Sequence, residues 1–229
     1  MKKIVSLALA ALLCLSLLGC GAKKEVPTVS VEVAVSDEGK LAVAYQSVAV
    51  PDEDGDGSVS IDAVIAAAHD AFYEGGAAKG YASEEGEYGM TITKLWGVEN
   101  GGSYGYCLND VSALPTDTVK AGDALYVYSF TDLTSWSDTY TYFTAHRAAA
   151  KAGEEVRVEL KMIAYDENWN MVEQPCADAE LTVNGESAGV STGEDGSAVL
   201  TFTDKGEYVV SCTAADRVLV PAVCVVTVE

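Results

Sequence analysis

The chain has 229 residues and is strongly acidic: 35 Asp and Glu side chains against 14 Lys and Arg side chains give a formal net charge of −21. Binding to nucleic acid or to an anionic lipid surface needs clustered Lys and Arg, so this charge argues against both kinds of partner. The length fits two modest domains better than one.

The N-terminal segment, MKKIVSLALAALLCLSLLGC, has the pattern of a secretory signal. Two lysines precede an apolar run that is shorter than the ~20 residues a membrane helix needs. The LLGC sequence that ends at Cys20 resembles the lipobox of bacterial lipoproteins. This resemblance implies a signal peptide over residues 1–19, lipidation of Cys20, and a tether over residues 20–40 that grades into a first strand. We therefore expect a lipid-anchored protein at the cell membrane, facing the extracellular side.

A strand and then a helix follow the tether. The run KLAVAYQSVAV, residues 40–50, is rich in residues that strands favour. After an acidic loop, apolar residues recur at helical spacing from Ile61 to Phe72. Ser60 is a suitable N-cap for this helix, and the two glycines at 75–76 end it.

The acidic loop, PDEDGDGSVSIDA, has the residue pattern of a calcium-binding loop. Alternating oxygen donors around a turn glycine can converge on one hard cation, which takes about six to eight oxygen ligands. Such loops need an acid at their last position, and Ala63 stands there instead. Two interpretations stay open: a calcium site, or an acidic turn that begins the helix without a cation. The candidate ligands are Asp52, Asp54, Asp56, Ser58, Ser60 and Asp62.

The rest of the chain predicts strands. Several aromatic-rich runs separated by turn signals follow the helix, so residues 41–145 are predicted to form an α+β domain with one main helix. The run VRVELKMIA then alternates cleanly, and Asn-Gly and Asp-Gly pairs mark hairpins, which predicts an all-β sandwich over residues 146–229. The predicted fold class is therefore α+β, with an all-β second domain.

The segment TGEDGSAVLTFTDKGEYVVSCTA, residues 192–214, resembles the later strands of bacterial immunoglobulin-like domains. In those domains a strand that begins with Asp-Gly is followed by a Gly-x-Tyr-x-Val strand. The resemblance covers roughly residues 147–229 and implies an immunoglobulin-like sandwich that acts as a spacer or an adhesive module.

The segment SYGYCLNDVSALPTDTVKAGDALYVYSF, residues 103–130, is similar to the transcobalamin-like C-terminal domain of exported bacterial proteins. This resemblance implies a small β-grasp-like first domain, and a corrinoid-like small molecule as one ligand. The positions that carry it are Tyr106, Asn109, Val119, Gly122, Asp123, Leu125 and Tyr128 or Phe130.

The sequence offers no nucleophile–base pair for catalysis. The GESAG motif at residues 185–189 matches a nucleophile elbow, but it follows a hairpin signal in a β stretch and no histidine comes after it. The two histidines, His69 and His146, have no metal-ligand or triad partners at nearby positions. We expect no enzymatic activity.

Cysteine usage is compatible with export. An exported chain permits disulfides, and we expect one at most, within the C-terminal half. The cysteines in question are Cys107, Cys176, Cys212 and Cys224.

The aromatic residues are the best candidates for a binding surface. Trp136 lies in the polar loop DLTSWSDTY, where core packing does not account for it. We hypothesise that Tyr104, Tyr106, Trp136 and Tyr140 line a ligand or partner surface. The predicted function is a non-catalytic extracellular binding protein for an unknown small molecule or surface protein. The alternative is a structural cell-envelope or adhesion component with calcium as its only ligand.

Overall fold

The structure is a computed structural model, and it describes residues 26–87, 89–165, 167–168 and 170–229. The predicted signal peptide, Cys20 and the first residues of the predicted tether lie outside the described residues. Of the residues described, 54% are in strands and 8% are in helices. No helix in this part of the chain combines the length and the apolar character that crossing a membrane would require.

The described residues form two helices and nineteen strands. The helices are α1, Ile61–Phe72, and α2, Ala77–Gly80. The strands, in chain order, are β1 Thr28–Asp37, β2 Lys40–Pro51, β3 Ser58–Ser60, β4 Ala82–Gly86, β5 Gly89–Lys94, β6 Tyr104–Leu108, β7 Val111–Ser112, β8 Thr118–Lys120, β9 Ala124–Ser129, β10 Thr139–Phe143, β11 Arg147–Ala150, β12 Glu155–Tyr165, β13 Met171–Pro175, β14 Glu180–Val183, β15 Glu186–Ser191, β16 Ser197–Thr201, β17 Gly206–Thr213, β18 Leu219–Val220 and β19 Cys224–Val228.

The predicted α+β class, with a helix-bearing β-grasp-like first domain, is wrong: the fold is mostly β. The physical reason lies in how the first sheet is covered. The single 12-residue helix α1 covers one face of this sheet, and strands of the second half cover the other face. Helix α1 is therefore the one helical layer among sheets in the described fold. Its position and its N-cap Ser60 agree with the sequence pattern.

The first sheet has the strand order β2-β1-β9-β6-β7. Strand β1 lies entirely within residues 20–40, the segment predicted as a tether, and runs antiparallel to β2 and parallel to the central strand β9. Val31, Val33 and Val35 of β1 pack with the apolar stripe of α1, whereas Ala34 points into the opposite, second interface. Both faces of β1 are buried from Val33 to Ser36, and this explains the apolar run Val33-Ala34-Val35, whereas the earlier part of β1 alternates between valine and exposed or half-buried polar residues.

The second half is a sandwich of two sheets. One has the order β13-β12-β10-β18, with β16 also paired to β12, and the other has the order β11-β19-β17-β14-β15. Their inner faces share a core that contains Leu160, Leu181, Val210 and Val226. Strand β10 precedes the predicted boundary at residue 145, yet it pairs with β12 and β18, which come after that boundary.

His69 is a structural residue in the core under α1. Its side chain is fully buried, its Nδ1–H donates to the Ile65 carbonyl at 2.8 Å, and its Nε2 accepts from the Trp96 amide at 2.9 Å. This arrangement fixes the neutral tautomer. The rings of Tyr73, Tyr81 and Trp96 surround the imidazole at 5.0–5.9 Å. Burial lowers the pKa of His69 below its ordinary value of 6.5, despite its hydrogen bond and the nearby Asp70.

His69 predicts a loss of stability in mild acid. The unfolded chain protonates this histidine near pH 6.5, whereas the folded chain resists protonation to lower pH. The free energy of unfolding, measured by urea denaturation, should therefore fall as pH drops below about 6.5, and His69 should contribute no slope above that pH. The His69→Gln variant should be less stable at pH 7.5 and should lose much of this decline between about pH 6.5 and 5.

The control is His146→Gln, because His146 is the only other histidine of the chain. It should keep the decline. A decline that persists unchanged in His69→Gln and disappears in His146→Gln would contradict the assignment.

Candidate functional site

A β-bulge in β2 helps to build the junction between the two halves. Val33 of β1 pairs with Gln46 and Val35 pairs with Val43, so β2 has one extra residue between these pairs. A one-residue insertion sends the following side chain to the other face of a sheet. Tyr45, at φ 34°, is accordingly buried in the junction rather than against α1.

The junction is a cluster rich in tyrosine. Here, strands of the first sheet pack against β10, β18, β19 and the residues between β18 and β19. Every buried residue of this cluster is less than one-tenth exposed. Tyr126, at its centre, donates a hydrogen bond to the Pro221 carbonyl. The buried members are Ala34, Tyr45, Cys107, Tyr126, Tyr128, Tyr140, Val220, Val223 and Val225.

Asp110 and His146 form a polar bridge at the edge of this cluster. The His146 Nε2 lies 3.0 and 3.1 Å from the two carboxylate oxygens of Asp110, and Tyr140 donates its hydroxyl to the same carboxylate at 3.1 Å. The His146 ring also stacks on Tyr45, with centroids 4.4 Å apart. Each of these contacts joins residues at least 30 positions apart, so the bridge ties the two halves together.

A row of aromatic rings runs from an exposed loop into the junction. Trp136 contacts Phe130 at 6.2 Å between centroids, and Phe130 contacts Tyr128 at 5.3 Å. Tyr128 stacks on Tyr140 at 5.9 Å, and Tyr140 stacks on Tyr142 at 6.0 Å. These five rings, the aromatic row, come from β9, β10 and the loop between these two strands.

Gly105 determines where the middle of the row lies. It pairs with Tyr128 across the β6–β9 ladder, and the Tyr128 ring lies over it. A Cβ atom at position 105 would meet the Tyr128 ring at 2.1 Å. The absence of a side chain at this strand position is therefore what allows Tyr128 to lie flat along β6.

Three depressions follow the aromatic row from Phe130 to Tyr142, and together they form what we call the junction groove; Trp136 lies next to Phe130 at its end and does not line it. The first, about 280 Å³, lies at Phe130 and Leu133 beside Glu38 and Asn100. The second, about 260 Å³, shares Phe130 with it and contains Tyr128 and Tyr140.

The third depression, about 420 Å³, shares Asp110, Ser112, Ile163 and Met171 with the second and extends to Glu173. Among the described residues that line the three depressions there are aromatic rings, hydroxyls, amides and carboxylates, but no Lys or Arg.

A larger cavity, about 480 Å³, lies elsewhere. It opens between the β1–β2 turn and strands β14 and β17. The described residues that line it are small, aliphatic or polar and include no aromatic ring. We regard the junction groove as the better candidate because aromatic side chains provide large contact areas at a low cost in conformational entropy.

The loop that presents Trp136 is held by two aspartates, Asp132 and Asp138. Asp138 accepts hydrogen bonds from the Thr131 amide at 2.6 Å and the Asp132 amide at 2.8 Å. The carboxylate of Asp132 accepts hydrogen bonds from the Ser135 amide at 3.0 Å, the Thr134 amide at 2.9 Å and the Ser137 hydroxyl at 2.8 Å. These bonds, led by that of Ser135, lower the pKa of Asp132 to about 2. Trp136 has a φ of 53° and is 64% exposed.

The structure divides the four predicted ligand residues between two places. Trp136 and Tyr140 belong to the aromatic row. Tyr104 and Tyr106 are also among the residues that line the second depression, but they alternate with Gly105 and Cys107 along β6, and their rings pack on the α1 side of the sheet. The Tyr104 hydroxyl donates to the Val98 carbonyl at 2.8 Å, which is a structural role.

The sequence interpretation missed Asp110, Phe130 and Tyr142 as residues of the groove. Alternation along β9 already put Tyr128 and Phe130 on one face, and this was the available signal. The contact between that face and β10 depends on sheet packing over long sequence distances.

The acidic loop brings three of its six predicted ligands together. Carboxylate oxygens of Asp52, Asp54 and Asp56 lie within 4.8 Å of one another. Asp52 also accepts from the Gly57 amide at 2.9 Å and the Gly55 amide at 2.8 Å, and these bonds lower its pKa. The loop is therefore ordered through its own backbone.

The other predicted ligands have separate partners. The Ser58 hydroxyl donates to Asp56 at 2.5 Å. The Ser60 hydroxyl caps α1 by accepting from the Ala63 amide at 3.2 Å, and Asp62 accepts from the Tyr81 hydroxyl at 2.6 Å. Asp62 is therefore half-buried at the side of α1, where Tyr81 binds it, and does not join the three aspartates.

The four cysteines of the described chain are all free thiols and all buried. Burial raises the pKa of Cys107 to about 12 and those of Cys212 and Cys224 to about 11. Such thiols are poor nucleophiles near neutral pH because the thiolate is the reactive form.

Comparison with known proteins identifies no family. No protein-family model matches the chain, and no curated protein matches it. Among solved structures, the D0-D1 domain of Intimin is similar at 14% identity, over 85% of this chain and 96% of that chain, with a TM-score of 0.29. A TM-score this low does not establish a shared fold, so the similarity carries no argument about this protein.

Proposed function

We propose that the chain is an exported, lipid-anchored binding protein without catalytic activity, and that its ligand binds in the junction groove. The observation that carries this proposal is the aromatic row with its three connected depressions. Pockets that bind ligands are concave and mainly apolar, with a few polar groups that orient the ligand. The groove has this composition, and residues from both halves contribute to it.

The groove also has the rigidity that binding favours. The Asp110–His146 bridge holds the halves together at its centre, and Asp132 holds the Trp136 loop at one end. A preformed site loses less conformational entropy when a ligand binds than a flexible one does. Two carboxylates of the groove are already engaged within the protein: Asp110 accepts from Tyr140, and Glu173 accepts from Tyr142.

The alternative is a structural component of the cell envelope that has calcium as its only ligand. The observation in its favour is the group of three carboxylates in the acidic loop. Against it stands the exposure of Trp136, which a purely structural role leaves without an explanation.

Binding in the groove predicts that Trp136→Ala removes a ligand-induced rise in melting temperature. The probes are cellohexaose, the peptide Lys-Leu-Lys-Leu-Lys-Leu and cobalamin, each added to the detergent-solubilised mature chain in a thermal-shift assay. At least one probe should stabilise the wild type, since a ligand that binds only the folded state raises its melting temperature. Because Trp136 is largely exposed, its removal should change the stability of the free protein little.

The matched control is Phe72→Ala, which removes another exposed aromatic ring at the end of α1, outside the groove. It should behave as the wild type. A probe that stabilises all three proteins equally would place the site elsewhere, and a panel in which no probe stabilises the wild type would also count against the proposal.

Lipid anchoring predicts that Cys20→Ala releases the protein from the membrane. Cells that express the wild type should incorporate labelled palmitate into the protein and retain it in the membrane fraction. The Cys20→Ala variant should lose the label and appear in a soluble fraction. Cys14→Ala is the control, since Cys14 lies inside the predicted signal peptide, and it should leave the label unchanged.

Calcium binding at the acidic loop predicts a modest stabilisation. At about 10 mM calcium, a site of extracellular affinity (Kd about 1 mM) should raise the free energy of unfolding by roughly 1.4 kcal/mol, or a few degrees in melting temperature. The shift should vanish in Asp54→Asn. An exposed acid of the sandwich, as in Asp204→Asn, serves as the control. An equal shift in both variants, or none in the wild type, would remove calcium as a ligand of the loop.

A further inference from the structure

We infer that the ligand of the junction groove is a neutral oligosaccharide, bound in an extended form along the aromatic row. This inference rests on the proposed function and adds the chemical class of the ligand. The argument uses the shape of the groove, the sign of its charges and the type of its polar groups.

The shape indicates an extended ligand. The three depressions lie in series, since the first and second share Phe130 and the second and third share four residues. Consecutive rings of the aromatic row lie 5.3–6.2 Å apart. Each depression is near or below the low end of the roughly 300–1,000 Å³ that small-molecule pockets have. A short polymer that places one unit in each depression uses this geometry better than one compact molecule does.

The charges exclude an anionic ligand. Glu38, Asp110 and Glu173 line the groove, and no Lys or Arg stands among its described lining residues. The chain as a whole has a net charge of −21. Nucleic acids and acidic polysaccharides would therefore be repelled at the groove as well as at long range.

The polar groups favour a neutral polyol over a cationic peptide. Asp110 already accepts hydrogen bonds from His146 and Tyr140, and Glu173 accepts one from the Tyr142 hydroxyl. Hydrogen bonds from the protein therefore stabilise the negative charge of two of the three carboxylates, so these two carboxylates attract a cationic ligand less strongly. An ionised carboxylate still has further lone pairs that can accept hydrogen bonds from ligand hydroxyls.

Sugar rings match the remaining surface. A pyranose has apolar C–H faces and a rim of hydroxyls that must be hydrogen-bonded when they leave water. Tyr142 and Phe130 line the groove with partly exposed aromatic surface for the C–H faces, and Ser112 and Thr131 add hydroxyls beside them. Exposed Trp136 adds a further aromatic face at the end of the groove, next to Phe130. Aromatic faces and hydroxyl partners along one groove are what an oligosaccharide requires.

The test is isothermal titration calorimetry on the detergent-solubilised mature chain. The probes are cellohexaose, chitohexaose and mannohexaose, with Lys-Leu-Lys-Leu-Lys-Leu as the competing class. At least one hexasaccharide should bind, and Trp136→Ala should weaken it by about tenfold or more, as expected for an aromatic anchor. Trp136→Phe should restore most of the affinity because it keeps a ring at this position, and Phe72→Ala should bind as the wild type does.

Salt dependence separates the two ligand classes. A neutral sugar should bind with nearly the same affinity at about 50 mM and 500 mM NaCl, whereas a basic peptide should weaken severalfold because salt screens its charges. Binding of the peptide alone, lost in Trp136→Ala, would overturn the sugar assignment and leave the proposed function intact. Hexasaccharide binding that no groove variant changes would overturn both, and so would the failure of every probe to bind.

Discussion

The junction groove depends on the burial of one face of the first sheet against the C-terminal sandwich. Tyr45, Tyr126 and Tyr140 fill that interface, and each is less than one-tenth exposed. Truncating a buried aromatic side chain in a core costs about 3–5 kcal/mol, so an interface with several of them resists separation. The two halves therefore act as one body here, and a groove at their junction keeps its shape. A pair of domains joined only by a flexible linker would offer no such fixed site.

Local parts of the fold follow from the sequence. Helix α1 occupies Ile61–Phe72 with Ser60 as its N-cap, as helical spacing and capping chemistry predict. The Asn184-Gly185 pair has positive φ at both residues and joins β14 to β15, as an Asn-Gly hairpin requires. These features depend on neighbouring residues only, so one sequence is enough to predict them. The predicted α+β class was wrong because it gave too much importance to one clear helix of 12 residues. Strands cover far more of the described chain.

The candidate site follows from the sequence much less well. Alternation separates Tyr104 and Tyr106 from Tyr128 and Phe130, but it does not say which face of the sheet meets the second half. Tyr45 is harder still, because alternation from Val43 and alternation from Val48 assign it to opposite faces, and only the bulge in the β1–β2 register decides between them. Asp110 and His146 are 36 residues apart, and only the packed fold brings them to hydrogen-bonding distance.

Backbone strain distinguishes Trp136 from the other aromatic residues. Of the described aromatic residues, Tyr45, Trp96 and Trp136 have positive φ, a conformation that bulky residues adopt at an energetic cost. Burial compensates this cost for Tyr45, and the hydrogen bond from the Trp96 amide to His69 does so for Trp96. Trp136, by contrast, remains 64% exposed. Hydrogen bonds from backbone amides to Asp132 and Asp138 hold the loop in which it lies. Inside the chain, the Trp136 indole N–H donates to the Leu133 carbonyl at 3.2 Å and its ring contacts Phe130, yet most of the ring stays in solvent. This combination of positive φ and exposure is the reason why we proposed Trp136 as a contact for a ligand. Trp136 also lies at the end of the aromatic row, next to Phe130, which lines the first and second depressions.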